Sequence, residues 1–126
     1  MASWKDYRFS LDLGSRDDDS IGARFRVVDD RHYYRLTWNA TQGVLRLVKR
    51  DGDGFRILAE QPGSHPYVKG QMYGVEITAV GSSLSVTVDG EQPLVVNDDS
   101  YPRGSIGLYS DDSAGALFDN LSVEAL

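Results

Sequence analysis

With 126 residues, 40% hydrophobic and 25% charged, the chain reads as one globular domain large enough to bury a core without staples. A formal net charge of −6 and a pI near 4.7 argue against general binding to nucleic acid or anionic membrane, which needs net positive surface. The absence of cysteine excludes disulfides and thiolate metal sites but leaves the compartment open, and no apolar run is long enough to insert into a bilayer as a helix.

In chain order, residues 6–13 alternate, with Tyr7, Phe9, Leu11 and Leu13 on one side and Arg8, Ser10 and Asp12 on the other, the period of a half-buried strand. After a polar loop over residues 14–20, Ile21, Ala23, Phe25 and Val27 alternate with Gly22, Arg24, Arg26 and Val28. A turn at Asp29-Asp30 leads to Tyr34, Leu36 and Trp38, alternating with Tyr33, Arg35, Thr37 and Asn39. A second turn over residues 40–43 leads to Leu45 and Leu47, alternating with Arg46, Val48 and Arg50. Asp51-Gly52-Asp53-Gly54 is a hairpin signal, because such turns need residues that tolerate positive φ. Phe55, Ile57 and Ala59 predict a short strand, and residues 61–70 form the longest irregular connection. Residues 73–80 and 84–89 read as paired strands; a hairpin at Asp89-Gly90 leads to 93–96, and strands over 105–110 and 117–126 close the chain.

No window shows helical periodicity, and no repeat, linker or low-complexity tract interrupts the pattern. About ten short strands in one domain must stack as two antiparallel sheets around one core, so an all-β sandwich is expected over 1–126, of jelly-roll form.

The strands over 21–50 place Arg24, Arg26, Arg35, Arg46 and Arg50, five of the 13 basic residues of an acidic chain, on the face turned away from the core beside Tyr33. Tyr109 alternates against Ile106 and Leu108 and is expected on the same face. Tyrosine rings stack on sugar rings, and arginine forks bind hydroxyl pairs or carboxylates bidentately. Arg26, Tyr33, Arg35, Arg46 and Tyr109 are therefore the candidate ligand-binding residues. The competing reading pairs these arginines with Glu76, Asp12 or the acidic loops, giving a solvated, salt-bridged sheet in which each pair contributes about 0–1 kcal/mol.

Trp4-x-Asp6-Tyr7-x-Phe9, Gly22-Ala23-x-Phe25-Arg26 and Asp30-x-x-Tyr33-Tyr34-Arg35-Leu36 resemble the concanavalin A-like (laminin G-like) jelly-roll superfamily. So do Val86-x-Val88-Asp89-Gly90, Gly104-x-Ile106-Gly107-Leu108-Tyr109-Ser110 and Phe118-Asp119-Asn120-Leu121-x-Val123. The resemblance runs from Trp4 to Val123 and is specific for fold; for function it spans lectins, carbohydrate-binding modules, adhesion domains and glycoside hydrolases. It implies that the first and last strands lie side by side, and a structural Ca²⁺ held there by an Asp of the closing strand, whose place Asp119 fills, together with backbone carbonyls near the first strand. The alternative for Asp119 is a carboxylate accepting backbone N–H groups at a bulge.

Catalytic signals are weak. The Glu-x-Asp-x-x-Glu strand pattern of the superfamily's hydrolases has no counterpart, and the four glutamates, Glu60, Glu76, Glu91 and Glu124, are scattered. His32 and His65 lie in turns, and neither a Gly-x-Ser-x-Gly elbow nor a phosphate-cradling glycine loop exists. The acidic clusters at Asp17-Asp18-Asp19, Asp51/Asp53, Asp98-Asp99 and Asp111-Asp112 read first as solvated turns and second as a cation rim. The expectation is a non-catalytic carbohydrate-binding or adhesion module of a larger bacterial secreted or surface protein. Its partners would be a glycan or polysaccharide and the neighbouring domains, with neither nucleic acid nor membrane insertion. A structural or protein-interaction domain without a small ligand is the alternative, and a glycosidase a distant third.

Overall fold

The computed structural model describes residues 4–16, 20–39, 44–61, 68, 70–111 and 116–126. These form ten strands: β1 (Tyr7–Ser15), β2 (Ser20–Asp29), β3 (His32–Asn39), β4 (Val44–Asp51), β5 (Gly54–Gln61), β6 (Tyr73–Val80), β7 (Ser83–Val88), β8 (Glu91–Asn97), β9 (Ser105–Asp111) and β10 (Ala116–Ala125). One sheet has the order β10-β1-β6-β7-β8 and the other β5-β4-β3-β2-β9, with every neighbouring pair antiparallel. The chain is thus an antiparallel β-sandwich. As the resemblance implies, first and last strands are neighbours, with Tyr7 opposite Ala125 and Ser15 opposite Ala116.

The alternation sets the core. Phe9, Leu11 and Leu13 of β1, Val75, Ile77 and Ala79 of β6, and Leu84 and Val86 of β7 are buried on one sheet. They meet Ile21, Ala23 and Phe25 of β2, Tyr34, Leu36 and Trp38 of β3, and Leu45 and Leu47 of β4. Each such side chain removed from water contributes about 1.5–3 kcal/mol, so the facing layers hold the sandwich. Trp38 meets Tyr73 edge-on at 4.8 Å between ring centroids, and Phe25 meets Tyr34 at 5.4 Å.

The alternation breaks once in the middle of β2. Against β9, Arg24 pairs with Gly107 and Val27 with Ser105, three steps on one strand for two on the other, and Arg26 has φ of +46°. This is a bulge, and the extra residue turns Arg26 from the outer face to the interior, where its exposure is 0%. The expected exposed, ligand-binding Arg26 is therefore corrected: it is a structural residue. Its guanidinium donates to the backbone carbonyls of Lys5, Gly81 and Tyr101 and pairs with Asp6 at 3.4 Å. It ties together the lead into β1, the β6–β7 turn and the segment entering β9.

Asp98 departs from the solvated turn expected for it. Its carboxylate accepts the Tyr34 hydroxyl at 2.6 Å and pairs with Lys49 at 3.1 Å, clamping the segment after β8 onto the other sheet. Asp17-Asp18-Asp19, Asp112, His65 and the turn over 40–43 lie outside the described residues. His32 sits, half-exposed, in the β2–β3 hairpin with its Nδ1 2.7 Å from Asp29 Oδ1, a turn residue as expected.

Candidate ligand-binding face

Strand register arranges the outer face of the β5-β4-β3-β2-β9 sheet in rows. One row runs Tyr109, Gly22, Thr37, Arg46, Glu60; the next runs Gly107, Arg24, Arg35, Val48, Ile57; a third joins Tyr33, Arg50 and Phe55. Because side chains of alternate residues share a face, these three rows stand on the same side, opposite the core.

Within the rows, guanidiniums and rings interleave. The Arg24 Cζ lies 4.7 Å from the Tyr33 ring centroid and 5.8 Å from that of Tyr109. Arg35 lies 4.2 Å from Tyr109 and 5.1 Å from Phe55, and Arg50 lies 5.1 Å from Phe55. Such contacts contribute about 0.5–1 kcal/mol at exposed sites and hold long side chains down on the sheet.

The expected site residues therefore divide. Arg35, Arg46 and Tyr109 share the outer face and are partly accessible. Tyr33 is on that face but only 1% exposed, roofed by Arg24, so it is the floor of the surface rather than a stacking platform. Arg26 is absent from it. Three residues complete the surface: Arg24, Arg50 and Phe55, the last 53% exposed. Arg24 and Arg50 were legible from alternation as members of the face. Phe55 is also placed there by alternation, through its register with Arg50.

The salt-bridged alternative holds at one position. Arg46 Nε donates to Glu60 Oε2 at 2.8 Å. Glu76 instead pairs with Arg8 on the other sheet, and Asp12 accepts the Asn120 amide at 2.6 Å. Among the described residues no carboxylate lies within ion-pair distance of Arg24, Arg35 or Arg50. Arg35 Nε donates to the Thr37 hydroxyl and Arg50 Nε to the Gly52 carbonyl, whereas the buried Nε of Arg24 has no hydrogen-bond partner.

The other sheet carries a groove of about 410 Å³ lined by Asp12, Glu76 and Asp89, among others. All three carboxylates are engaged: Asp12 by Asn120, Glu76 by Arg8, and Asp89 by the Gly74 N–H. Asp119 is exposed in β10, and one of its oxygens accepts the N–H of Asn120, which has φ of +51°, beside a register shift between Ser10 and Asp12. That is the bulge-carboxylate arrangement. Ca²⁺ takes six to eight oxygens, and no group of three or more acidic or histidine side chains able to hold a metal occurs among the described residues. A Ca²⁺ at Asp119 would have to draw most of its ligands from backbone carbonyls and solvent.

No protein-family model and no curated protein sequence matches the chain. Solved structures match over nearly all of it. The carbohydrate-binding module CBM66 from Bacillus subtilis aligns with TM-score 0.86 and 21% identity, covering 98% of this chain and 78% of that one. Chicken galectin 2 aligns with TM-score 0.77 and 13% identity, covering 96% and 92%. A glycosyl hydrolase assigned only provisionally, from Parabacteroides distasonis, aligns with TM-score 0.70 and 13% identity, covering 99% and 80%. The chain therefore shares the two-sheet β-sandwich fold of these structures.

Proposed function

We propose that this chain is a non-catalytic carbohydrate-binding module that takes its ligand on the outer face of the β5-β4-β3-β2-β9 sheet, as part of a larger secreted or surface-exposed protein. The observation that carries the reading is the set of Arg24, Arg35 and Arg50, held on aromatic rings and without carboxylate partners among the described residues, on a chain of net charge −6. Arg8, Arg31 and Arg46, by contrast, each pair with a carboxylate. Ring edges and planar forks side by side are what a saccharide needs: a ring to lie against and donors for its oxygens. Glycan recognition is named for the carbohydrate-binding module, and lectin-type structures recur among the neighbours.

Catalysis finds no support on this face. Glycoside hydrolysis needs two carboxylates flanking the scissile bond, and the rows described contribute one, Glu60, already bound to Arg46. The competing reading, a protein-interaction domain, draws on Phe55 and Ile57, each more than half exposed on the edge strand β5.

A glycan array with wild type and Arg35→Ala tests the proposal. Saccharide binding that is lost in the variant, with the thermal midpoint kept, supports it. Binding to no saccharide, or binding that Arg35→Ala leaves intact, rejects the face.

A further inference from the structure

We infer that the ligand is an anionic saccharide, its carboxylate or sulfate group seated between Arg24 and Arg35 beside the Tyr109 ring. The inference rests on the glycan-binding reading and narrows its class.

Arg24 and Arg35 are direct cross-strand partners, a register in which like charges repel. Both guanidiniums nevertheless converge on one ring, with Cζ atoms 5.8 Å and 4.2 Å from the Tyr109 centroid. The ring face offsets part of that repulsion but accepts no strong hydrogen bond. Arg24 carries its Nε buried and unbonded, a desolvated donor of the kind folded proteins rarely leave unused. Arg35 spends its Nε on Thr37, and none of its terminal nitrogens meets a carboxylate among the described residues. Two forks on one ring, whose terminal nitrogens meet no carboxylate among the described residues, form an incomplete site that a two-oxygen anion completes bidentately.

The balance of donors and acceptors points the same way. A neutral sugar presents hydroxyls that must donate as well as accept. On this face Glu60 is taken by Arg46 and the Thr37 hydroxyl by Arg35, so the surface is rich in donors and poor in free acceptors. An anionic group only accepts. The acidic net charge of the chain does not cancel this, because at physiological ionic strength charges act over about 8 Å and the local guanidiniums dominate. Gly22 and Gly107 flank Arg24 on the same face, and a Cβ on Gly107 would lie 3.8 Å from that of Arg24, so no side chain at either position covers the pair.

The test is titration calorimetry of the intact chain against matched polysaccharides: polygalacturonate with its carboxyl-reduced counterpart, and dextran sulfate with dextran. The two pairs separate a carboxylate from a sulfate ester. Binding to the anionic member of at least one pair, about tenfold or more tighter than to its neutral partner, is expected. Arg24→Gln and Arg35→Gln should each lower that affinity by about tenfold, while Arg31→Gln, in the remote hairpin pair with Asp53, leaves it unchanged. Equal or tighter binding of the neutral members overturns the anionic class and leaves the glycan reading standing. Anion binding untouched by Arg24→Gln and Arg35→Gln, or lowered as much by Arg31→Gln, overturns the seat between the two arginines. No binding to these four or to a glycan array removes both readings.

Discussion

The phenol oxygen of Tyr7 accepts the backbone N–H of Arg26 at 2.6 Å, joining the first strand of one sheet to the bulge of the other. The bulge deprives Arg26 of its ladder partner, and the phenol supplies an acceptor inside the core. Burial pushes the Tyr7 hydroxyl up to about 12, against the smaller downward pull of the Arg26 N–H and guanidinium. The Arg26 side chain then donates to the carbonyls of Lys5, Gly81 and Tyr101. Arg26→Met, which keeps the stem and removes the fork, is expected to cost about 3 kcal/mol, and Tyr7→Phe about 1–2 kcal/mol, in urea unfolding. A midpoint for Arg26→Met within experimental error of wild type would show that the buried guanidinium does not hold these segments.

Gly104 supports the same bulge from β9's side. It bridges to Trp4, and a Cβ there would overlap the carbonyl carbon of Arg26 and the nitrogen of Val27. Backbone atoms cannot step aside as a flexible side chain can, so Gly104→Ala should lower stability by about 2 kcal/mol or more. Gly107→Ala, one turn of the pleat along, meets only ordinary contacts and serves as the comparison. Thermal melts of the two variants decide the matter, and equal midpoints would contradict the packing described.

Asp98 governs the acid limb of stability. Partial burial pushes its carboxyl up, but hydrogen bonds from Tyr34, Ser100 and Lys49 outweigh this and hold it near about 2 instead of 3.8. A carboxylate depressed in the folded state stabilises the fold above its unfolded pKa, and that stability is lost as pH falls through the folded value. The contribution is about 2 kcal/mol, present above pH 4 and lost between roughly pH 4 and 2. Tyr34 and Tyr7 work at the other end: both hydroxyls are raised by burial, so their contribution is complete below pH 10 and declines as pH rises beyond it. Asp98→Asn should flatten the acid limb in a denaturant series from pH 7 to 2, and weaken the part of the alkaline limb that belongs to Tyr34, whose hydroxyl the Asp98 carboxylate also helps to raise. An unchanged acid limb would place the transition on other carboxylates.

Most of the fold was legible because alternation is a local property. Phe9, Leu11, Phe25, Tyr34, Leu36, Trp38 and Ile77 were all read as inward and all are buried. Arg26 was misread because nothing around it, in Phe25-Arg26-Val27-Val28, marks a bulge; the extra residue is selected by Tyr7 and Gly104, distant in sequence. Tyr33 was placed on the correct face but taken as accessible, since alternation gives the side of a strand and not what its neighbours cover. Asp98 looked like half of an acidic turn because its partners Tyr34 and Lys49 are about fifty or more residues away. The candidate face itself was legible as a concentration of arginine, while the lack of carboxylate partners for Arg24 and Arg35 among the described residues required the structure.

The bulge arrangement at Asp119 makes a prediction about calcium. An ion that binds only the folded state must raise the melting temperature by mass action. With one Asp119 oxygen occupied by the Asn120 N–H and Asp12 engaged by the Asn120 side chain, no shift is expected between millimolar CaCl₂ and EDTA. A Ca²⁺-dependent rise that Asp119→Asn abolishes would restore the ion to this strand.

Tyr33 and Tyr109 stand on one face yet should behave oppositely. Tyr33 lies under Arg24 with 1% of its surface exposed, so Tyr33→Ala removes a floor and opens a void beneath a charged side chain. The expected cost is about 3–4 kcal/mol, with any binding loss explained by altered folding. Tyr109 is partly exposed and holds Arg35 at 4.2 Å, so Tyr109→Ala frees the fork rather than collapsing the sheet. Its midpoint should shift by about 1 kcal/mol or less, while saccharide affinity falls by about tenfold as Arg35 loses its fixed position. Tyr109→Phe keeps the ring and should retain most of the affinity, which separates support of the guanidinium from a hydrogen bond by the phenol. If Tyr33→Ala proved stable and non-binding while Tyr109→Ala bound normally, the ligand would rest on the Tyr33 side of the arginines, and the geometry assigned to this face would be reversed.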